Sequence, residues 1–255
     1  MSITILSPYL LFFVDEANKM WTLLKDGRIR FIKECHSFQS LTSDNNSICG
    51  VSFNGEKTDV IQTDFTFNPP EDAPLLSEWG YFYYPTLLNI KKQKIAMIKA
   101  DLLNPSGTGD LIIFEKARTK FHPKMKLAGK IAPARWNPMT GELYYITAKN
   151  ALARTNGEKG EIISTQATHF ALNPFGTELV YFGNDCISIL SLQTGRCTNT
   201  IAFDVTALSF GISGNEIYFA TEKQGRCGIY KLDKKTGEVA LVINHSCPVR
   251  LMTHP

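Results

Sequence analysis

The sequence predicts an all-β chain, a β-propeller of five or six four-stranded antiparallel blades closed by a C-terminal strand in the first blade. Three observations carry this expectation. A strand–turn–strand block recurs: Asn173-Pro174-Phe175-Gly176-Thr177-Glu178-Leu179-Val180-Tyr181-Phe182 has a near copy at Asn137–Ile146, another version at Phe210–Phe219 and a fainter one at Asn89–Ile98. The steps between these starts are 48, 36 and 37 residues, a period that stacks strand-rich units radially. No segment keeps a helical period over about 11 residues. The tail Val249–Pro255 repeats the start of a unit, as in Phe170–Pro174, and stops.

The elements follow in order. The apolar stretch Ile3–Val14 lacks a basic start and a small-residue cleavage site and runs into Asp15-Glu16, so it reads as strand rather than signal peptide. Leu10–Val14, Met20–Leu24 and Arg28–Ile32 form a meander, with a tight turn at Lys25-Asp26-Gly27. Residues 35–67 hold a blade that matches the repeat poorly, complete or not. The unit at about 80–128 is longer, with an extended loop at Asn104–Gly109; the unit at 132–165 turns at Asn156-Gly157 and Lys159-Gly160. Residues 168–201 carry the repeat most clearly. There, Asn173-Pro174-Phe175-Gly176 turns because proline fixes φ and glycine accepts positive φ. Gly183-Asn184-Asp185 and Gln193-Thr194-Gly195 make the next two turns, and 205–243 repeats the plan. Two segments compete for the remaining strand of the first blade, Ile3–Ser7 and Val249–Thr253. The second is adopted because it resembles a repeat start and would remove two open sheet edges.

Composition narrows the class. The repeat spans most of the 255 residues, which reads as one domain over 1–255. A formal charge of +3 does not by itself predict nucleic-acid binding. Six scattered cysteines without a C-x-x-C pair read as buried reduced thiols, which places the protein in the cytoplasm. No apolar run reaches the ~18 residues of a membrane helix.

The stretch Phe170–Val180 resembles the strand–turn–strand of WD40-type repeats. Asp185–Gly195 and Ile229–Gly237 resemble their third strand with its closing Thr-Gly turn. The resemblance covers 132–255 well and 1–131 weakly. No Trp-Asp dipeptide closes a blade and no Gly-His opens one, so the family's Asp-His-Ser/Thr-Trp network has no counterpart here. The resemblance implies a binding platform rather than an enzyme.

The residues themselves name no chemistry. His36, His122, His169, His245 and His254 show no metal-ligand spacing, and no nucleophile elbow, P-loop or dinucleotide fingerprint is present. The expectation is no catalytic residue, no cofactor and no metal. Two departures from the repeat stand out. An acidic, proline-rich insertion, Asn68–Gly80, runs into Tyr81-Phe82-Tyr83-Tyr84. Residues 116–130 hold Lys116, Arg118, Lys120, Lys124, Lys126 and Lys130. The bland readings are rings that cover blade edges and lysines that protect an edge strand. The functional reading is a protein-partner surface on one irregular blade, with Trp79, Tyr81 and Tyr83 as anchors and Arg118, Lys120 and Lys124 for steering. Two alternatives stay open: an enzyme or small-ligand binder using the axial pocket, and a phosphoinositide or nucleic-acid binder through 116–130.

Overall fold

A computed structural model describes residues 9–15, 17, 19–34, 40–43, 48–63, 74–88, 93–100, 107–183, 185–203, 207–223, 226–244 and 248–253. These form 24 strands in six four-stranded antiparallel sheets, and no described residue is helical. The chain divides into two compact units, residues 1–36 with 205–255, and residues 37–204.

The first unit holds two sheets. One contains β1 (Tyr9–Asp15), β2 (Lys19–Leu24) and β3 (Ile29–Glu34), the expected meander, and β24 (Pro248–Thr253) pairs antiparallel with β1, Phe13 facing Leu251. The other is β20 (Ala207–Ser213), β21 (Glu216–Lys223), β22 (Arg226–Asp233) and β23 (Val239–Asn244) in sequential order. Phe13 and Leu23 of one sheet pack on Tyr218, Ala220, Ile229 and Ile243 of the other.

The second unit holds four sheets. The second blade is β4 (Ser40–Ser43), β5 (Ile48–Phe53), β6 (Lys57–Thr63) and β7 (Leu76–Trp79). The third is β8 (Phe82–Leu88), β9 (Lys94–Lys99), β10 (Thr108–Ala117) and β11 (Lys120–Lys130). The fourth is β12 (Arg135–Trp136), β13 (Leu143–Ile146), β14 (Leu152–Thr155) and β15 (Gly160–Ser164). The fifth is β16 (His169–Leu172), β17 (Glu178–Gly183), β18 (Cys186–Ser191) and β19 (Arg196–Ala202).

Two open readings are decided and two readings change. There are six blades. The blade read at 35–67 is complete, and its last strand, Leu76–Trp79, comes from the end of the insertion; 64–73 lie outside the described residues. Thr108 and Gly109 open β10 rather than belonging to a loop, and Asn104–Ser106 lie outside the described residues. Phe182, which the repeat puts on the second strand of its blade where both faces are expected to be covered, is half-buried and meets Phe203 edge-on.

Burial follows strand position. All four residues of β13 are buried, and so are four of the six in β9, because middle strands are covered on both faces. Last strands face water: six of the seven β19 residues are exposed. Trp136, Leu143 and Tyr145 share a core with Ile98, Leu111 and Ile113 of the neighbouring blade.

The Asn-Pro turns also join blades. Asn137 is buried; its Oδ1 accepts from the backbone N–H groups of Met139 and Thr140, and its Nδ2 donates to the Gly176 carbonyl at 2.9 Å. Gly176 has φ 68°, and a Cβ there would lie 2.2 Å from Asn137 Oδ1. Glycine is required on both counts.

A Glu-x-Tyr pair facing a cation occurs twice. Tyr144 lies opposite Arg154, and Glu142 reaches both, the Arg154 guanidinium at 3.5 Å. Tyr218 lies opposite Lys231, and both donate to Glu216. Burial pushes the Glu216 carboxyl up, but hydrogen bonds from Lys231 and Tyr218 outweigh it and hold the carboxyl below its usual range. A depressed carboxyl contributes stability above its unfolded pKa of about 4.3, lost as pH falls through the folded value. Lys231→Met is therefore expected to cost about 1 kcal/mol at pH 7, solvent screening included. The difference from wild type should fade below pH ~4 in thermal melts, because the carboxyl is then neutral in both proteins.

Candidate functional site

The segment joining the second and third blades is held rigidly. The buried Thr58 Oγ1 donates to the Gly80 carbonyl at 2.6 Å and accepts from the Phe82 N–H at 3.2 Å. Gly80 N–H donates to the Glu56 carbonyl, and Ala100 N–H to the Tyr81 carbonyl. Gly80 sits at φ 99°, which glycine accepts without strain. On this clamp Trp79 ends β7 with 61% of its surface exposed, and Lys57 Nζ lies 4.4 Å from its ring centroid.

Tyr81 and Tyr83 continue an aromatic run. Tyr81 meets Phe53 at 4.6 Å and Tyr83 at 4.8 Å, both edge-on, and Tyr83 meets Tyr84 at 6.2 Å. Tyr81, Tyr83 and Tyr84 are half-buried. Burial, then the neighbouring Tyr81, pushes the Tyr83 hydroxyl above its usual pKa. The register of β8 on β9 shifts between Tyr83 and Thr86, and Tyr84 takes φ 50°. Positive φ is rare for so large a residue, and bulges re-aim the side chains they carry.

The basic residues lie on the β10–β11 hairpin. Arg118, at φ 57°, forms the turn, and Lys120 follows it. Ile113 pairs with Met125 and Phe114 with Pro123, so Lys124 is the extra residue of a bulge. All three side chains are exposed. Both Phe82 and Asp110 pair with Lys99, whereas Glu115 pairs with Lys94. Trp79 and Tyr81 therefore belong to one end of these strands and Arg118 to the other, about 23 Å apart along the strand direction. Trp79 closes the second blade, so the two departures from the repeat fall on neighbouring blades.

Two features were not anticipated. Met139 and Phe175, in the Asn-Pro turns of the fourth and fifth blades, are 63% and 71% exposed. Those turns touch through Asn137 and Gly176, at the strand end opposite Trp79, where Gly141 meets Leu88. The repeat revealed these turns, but nothing in it separates an exposed apolar turn residue from a buried one. A shallow cleft of about 520 Å³ in the fourth blade is lined by Glu142, Arg154, Glu158, Lys159 and Glu161 among others. Arg154 bridges Glu161 at 2.9 Å there, so the charges of this cleft largely answer one another.

Among the described residues no three His, Cys, Asp or Glu side chains come close enough to hold a metal ion. His122 is exposed, and His169 is held below its usual pKa by burial and then by Lys130. His36, His245 and His254 lie outside the described residues. Cys49 is buried as expected, but Cys197 is exposed; Cys35 and Cys247 lie outside the described residues. No helix among the described residues is long and apolar enough to cross a membrane.

Solved structures decide the architecture. A chain of the nidogen/laminin complex matches with a TM-score of 0.64 at 11% identity, over 95% of this chain and 97% of that one. The fold is a six-bladed β-propeller. TolB from Acinetobacter baumannii matches with a TM-score of 0.62 at 14% identity, over 90% of this chain and 64% of that one. The WD40 domain of Toxoplasma gondii coronin matches with a TM-score of 0.54 at 13% identity, over 82% and 60%. Identities this low establish the propeller and nothing finer. No protein-family model and no curated protein matches the chain.

Proposed function

We propose that this protein is a non-catalytic interaction module, one propeller domain that binds a protein partner through the surface joining its second and third blades. The observation that carries the reading is Trp79, 61% exposed beside the Phe53–Tyr81–Tyr83 run on a hydrogen-bonded clamp. An exposed tryptophan backed by half-buried tyrosines on a hydrogen-bonded backbone anchors interfaces well, since little entropy is lost on binding. Arg118, Lys120 and Lys124 act from the far end as steering charges. A standard footprint of about 800 Å² per partner is roughly 30 Å across, enough to span both ends. The fold supports the reading in a general way, since propellers commonly carry protein contacts. The scattered cysteines support a reducing compartment such as the cytoplasm.

The test is quantitative capture from the native host by immobilised wild-type protein and by the Trp79→Ala/Tyr81→Ala variant. Partners held through this surface should dissociate at least ~30-fold faster from the variant, the consequence of losing about 2 kcal/mol of anchor energy. Recovery of the same partners at wild-type yield would place the surface elsewhere.

A further inference from the structure

Charge is concentrated in one blade. Residues 82–130 contain ten Lys or Arg and three Asp or Glu, a formal +7. The whole chain is +3, so the other residues carry −4. Among the described residues of this blade, Asp110 and Glu115 are the carboxylates, against eight cations, and can neutralise two at most. Lys126 takes Asp110 at 2.8 Å. Other ammonium groups rest near rings: Lys99 lies 5.4 Å from Phe82 and Lys116 lies 5.8 Å from Phe121.

Placement of the cations narrows the ligand. β11 is the edge strand of its sheet, and directly paired residues share a face. Lys126 pairs with Ile112 and Phe121 with Lys116, so Lys116 and Lys126 lie on the face packed against the second blade. Lys120 and His122 lie on the opposite face with Ala117 and Glu115. Arg118 takes the turn and Lys124 the bulge between them. The cations thus surround an edge instead of covering one face.

We propose that the β10–β11 hairpin is a receptor for an extended acidic polypeptide segment lying along β11. This names a partner class and rests on the interaction-module reading, using the basic end of that surface rather than its aromatic anchors. An extended chain sends alternate side chains to opposite faces and can answer both rows at once, Lys116 and Lys126 on one face and Lys120 beside His122 on the other. A flat anionic membrane would meet one row and leave the other unpaired. Stacking of single-stranded nucleic acid needs exposed rings, and Phe121, the aromatic residue among 116–130, packs partly against the core. Pro123 lacks an N–H, and the Lys124 bulge breaks the edge register. The segment is therefore held by side chains more than by a backbone ladder. The same features repel a second copy of β11, so like charge excludes self-pairing while opposite charge is admitted.

The test is fluorescence anisotropy with a labelled dodecapeptide of repeating Glu-Glu-Thr-Thr, which places Glu on both faces of an extended chain. The comparison probes are its Lys–Thr counterpart, a short DNA duplex, and phosphatidylcholine vesicles containing phosphatidylserine. The Glu–Thr peptide should bind, the Lys–Thr peptide should not, and affinity should fall at least ~10-fold between about 50 and 300 mM salt. R118E/K120E/K124E should weaken binding ~10-fold or more with an unchanged melting temperature, since all three side chains are exposed. The Trp79→Ala/Tyr81→Ala variant should bind the peptide as wild type does, so the two proposals fail separately. No binding of the Glu–Thr peptide, binding indifferent to the charge reversal, or binding of DNA or vesicles in its place would overturn the proposal.

Discussion

Val180→Asp is expected to abolish cooperative folding or to cost on the order of 3 kcal/mol or more. Val180 is 1% exposed on β17, a middle strand of its blade, flanked by Ala171 on one side and Ile189 on the other. Both faces of such a strand are covered, so the carboxylate has no route to water without opening the blade. A native domain is stable by only about 5–15 kcal/mol in total, and one such residue can consume much of that. The matched control is Gln193→Asp in the exposed turn of the same blade, expected to stay within about 0.5 kcal/mol of wild type. Thermal denaturation followed by circular dichroism reads both. A soluble Val180→Asp protein with a wild-type melt would contradict the burial described for β17.

The second large effect is expected from deleting residues 248–255. β24 pairs with β1 from Leu11↔Thr253 to Asp15↔Pro248, so its loss strips one side of the β1 ladder. β1 would become an edge strand while still carrying Phe12 and Phe13, which are fully buried. An apolar edge without its partner invites pairing between molecules. Loss of solubility or of a single unfolding transition is expected by light scattering and calorimetry. A monomeric deletion variant with an unchanged melting temperature would show that β24 contributes little to this sheet.

The blades were legible where turn chemistry is local. Asn173-Pro174-Phe175-Gly176 announces its own geometry, and Gln193-Thr194-Gly195 ends a strand wherever it occurs. Leu76–Trp79 was hidden because prolines and acids precede it and its four residues are too few to show alternation. Its pairing with Lys57–Val60 is a contact across sequence, which no period displays. The candidate surface was half legible. Aromatic and basic departures from the repeat were visible, but their positions at opposite strand ends depend on the register of β8, β9 and β10. The exposure of Met139 and Phe175 is hidden for a similar reason: it is decided by what the next blade covers. The Glu216–Tyr218–Lys231 set was equally hidden, since Lys231 reaches Glu216 only through the β21–β22 pairing.

The most direct test of the central claim sets the two exposed apolar sites against each other. Partner capture from the native host is measured in parallel for wild type, Trp79→Ala/Tyr81→Ala and Met139→Ser/Phe175→Ser. The pairs lie at opposite strand ends, and the second exposes at least as much apolar surface as the first, so general stickiness would cost the second variant at least as much. The account predicts that the first variant loses the captured partner and the second retains it. Retention by the first with loss by the second would contradict it and move the binding surface to the Asn-Pro turns of the fourth and fifth blades.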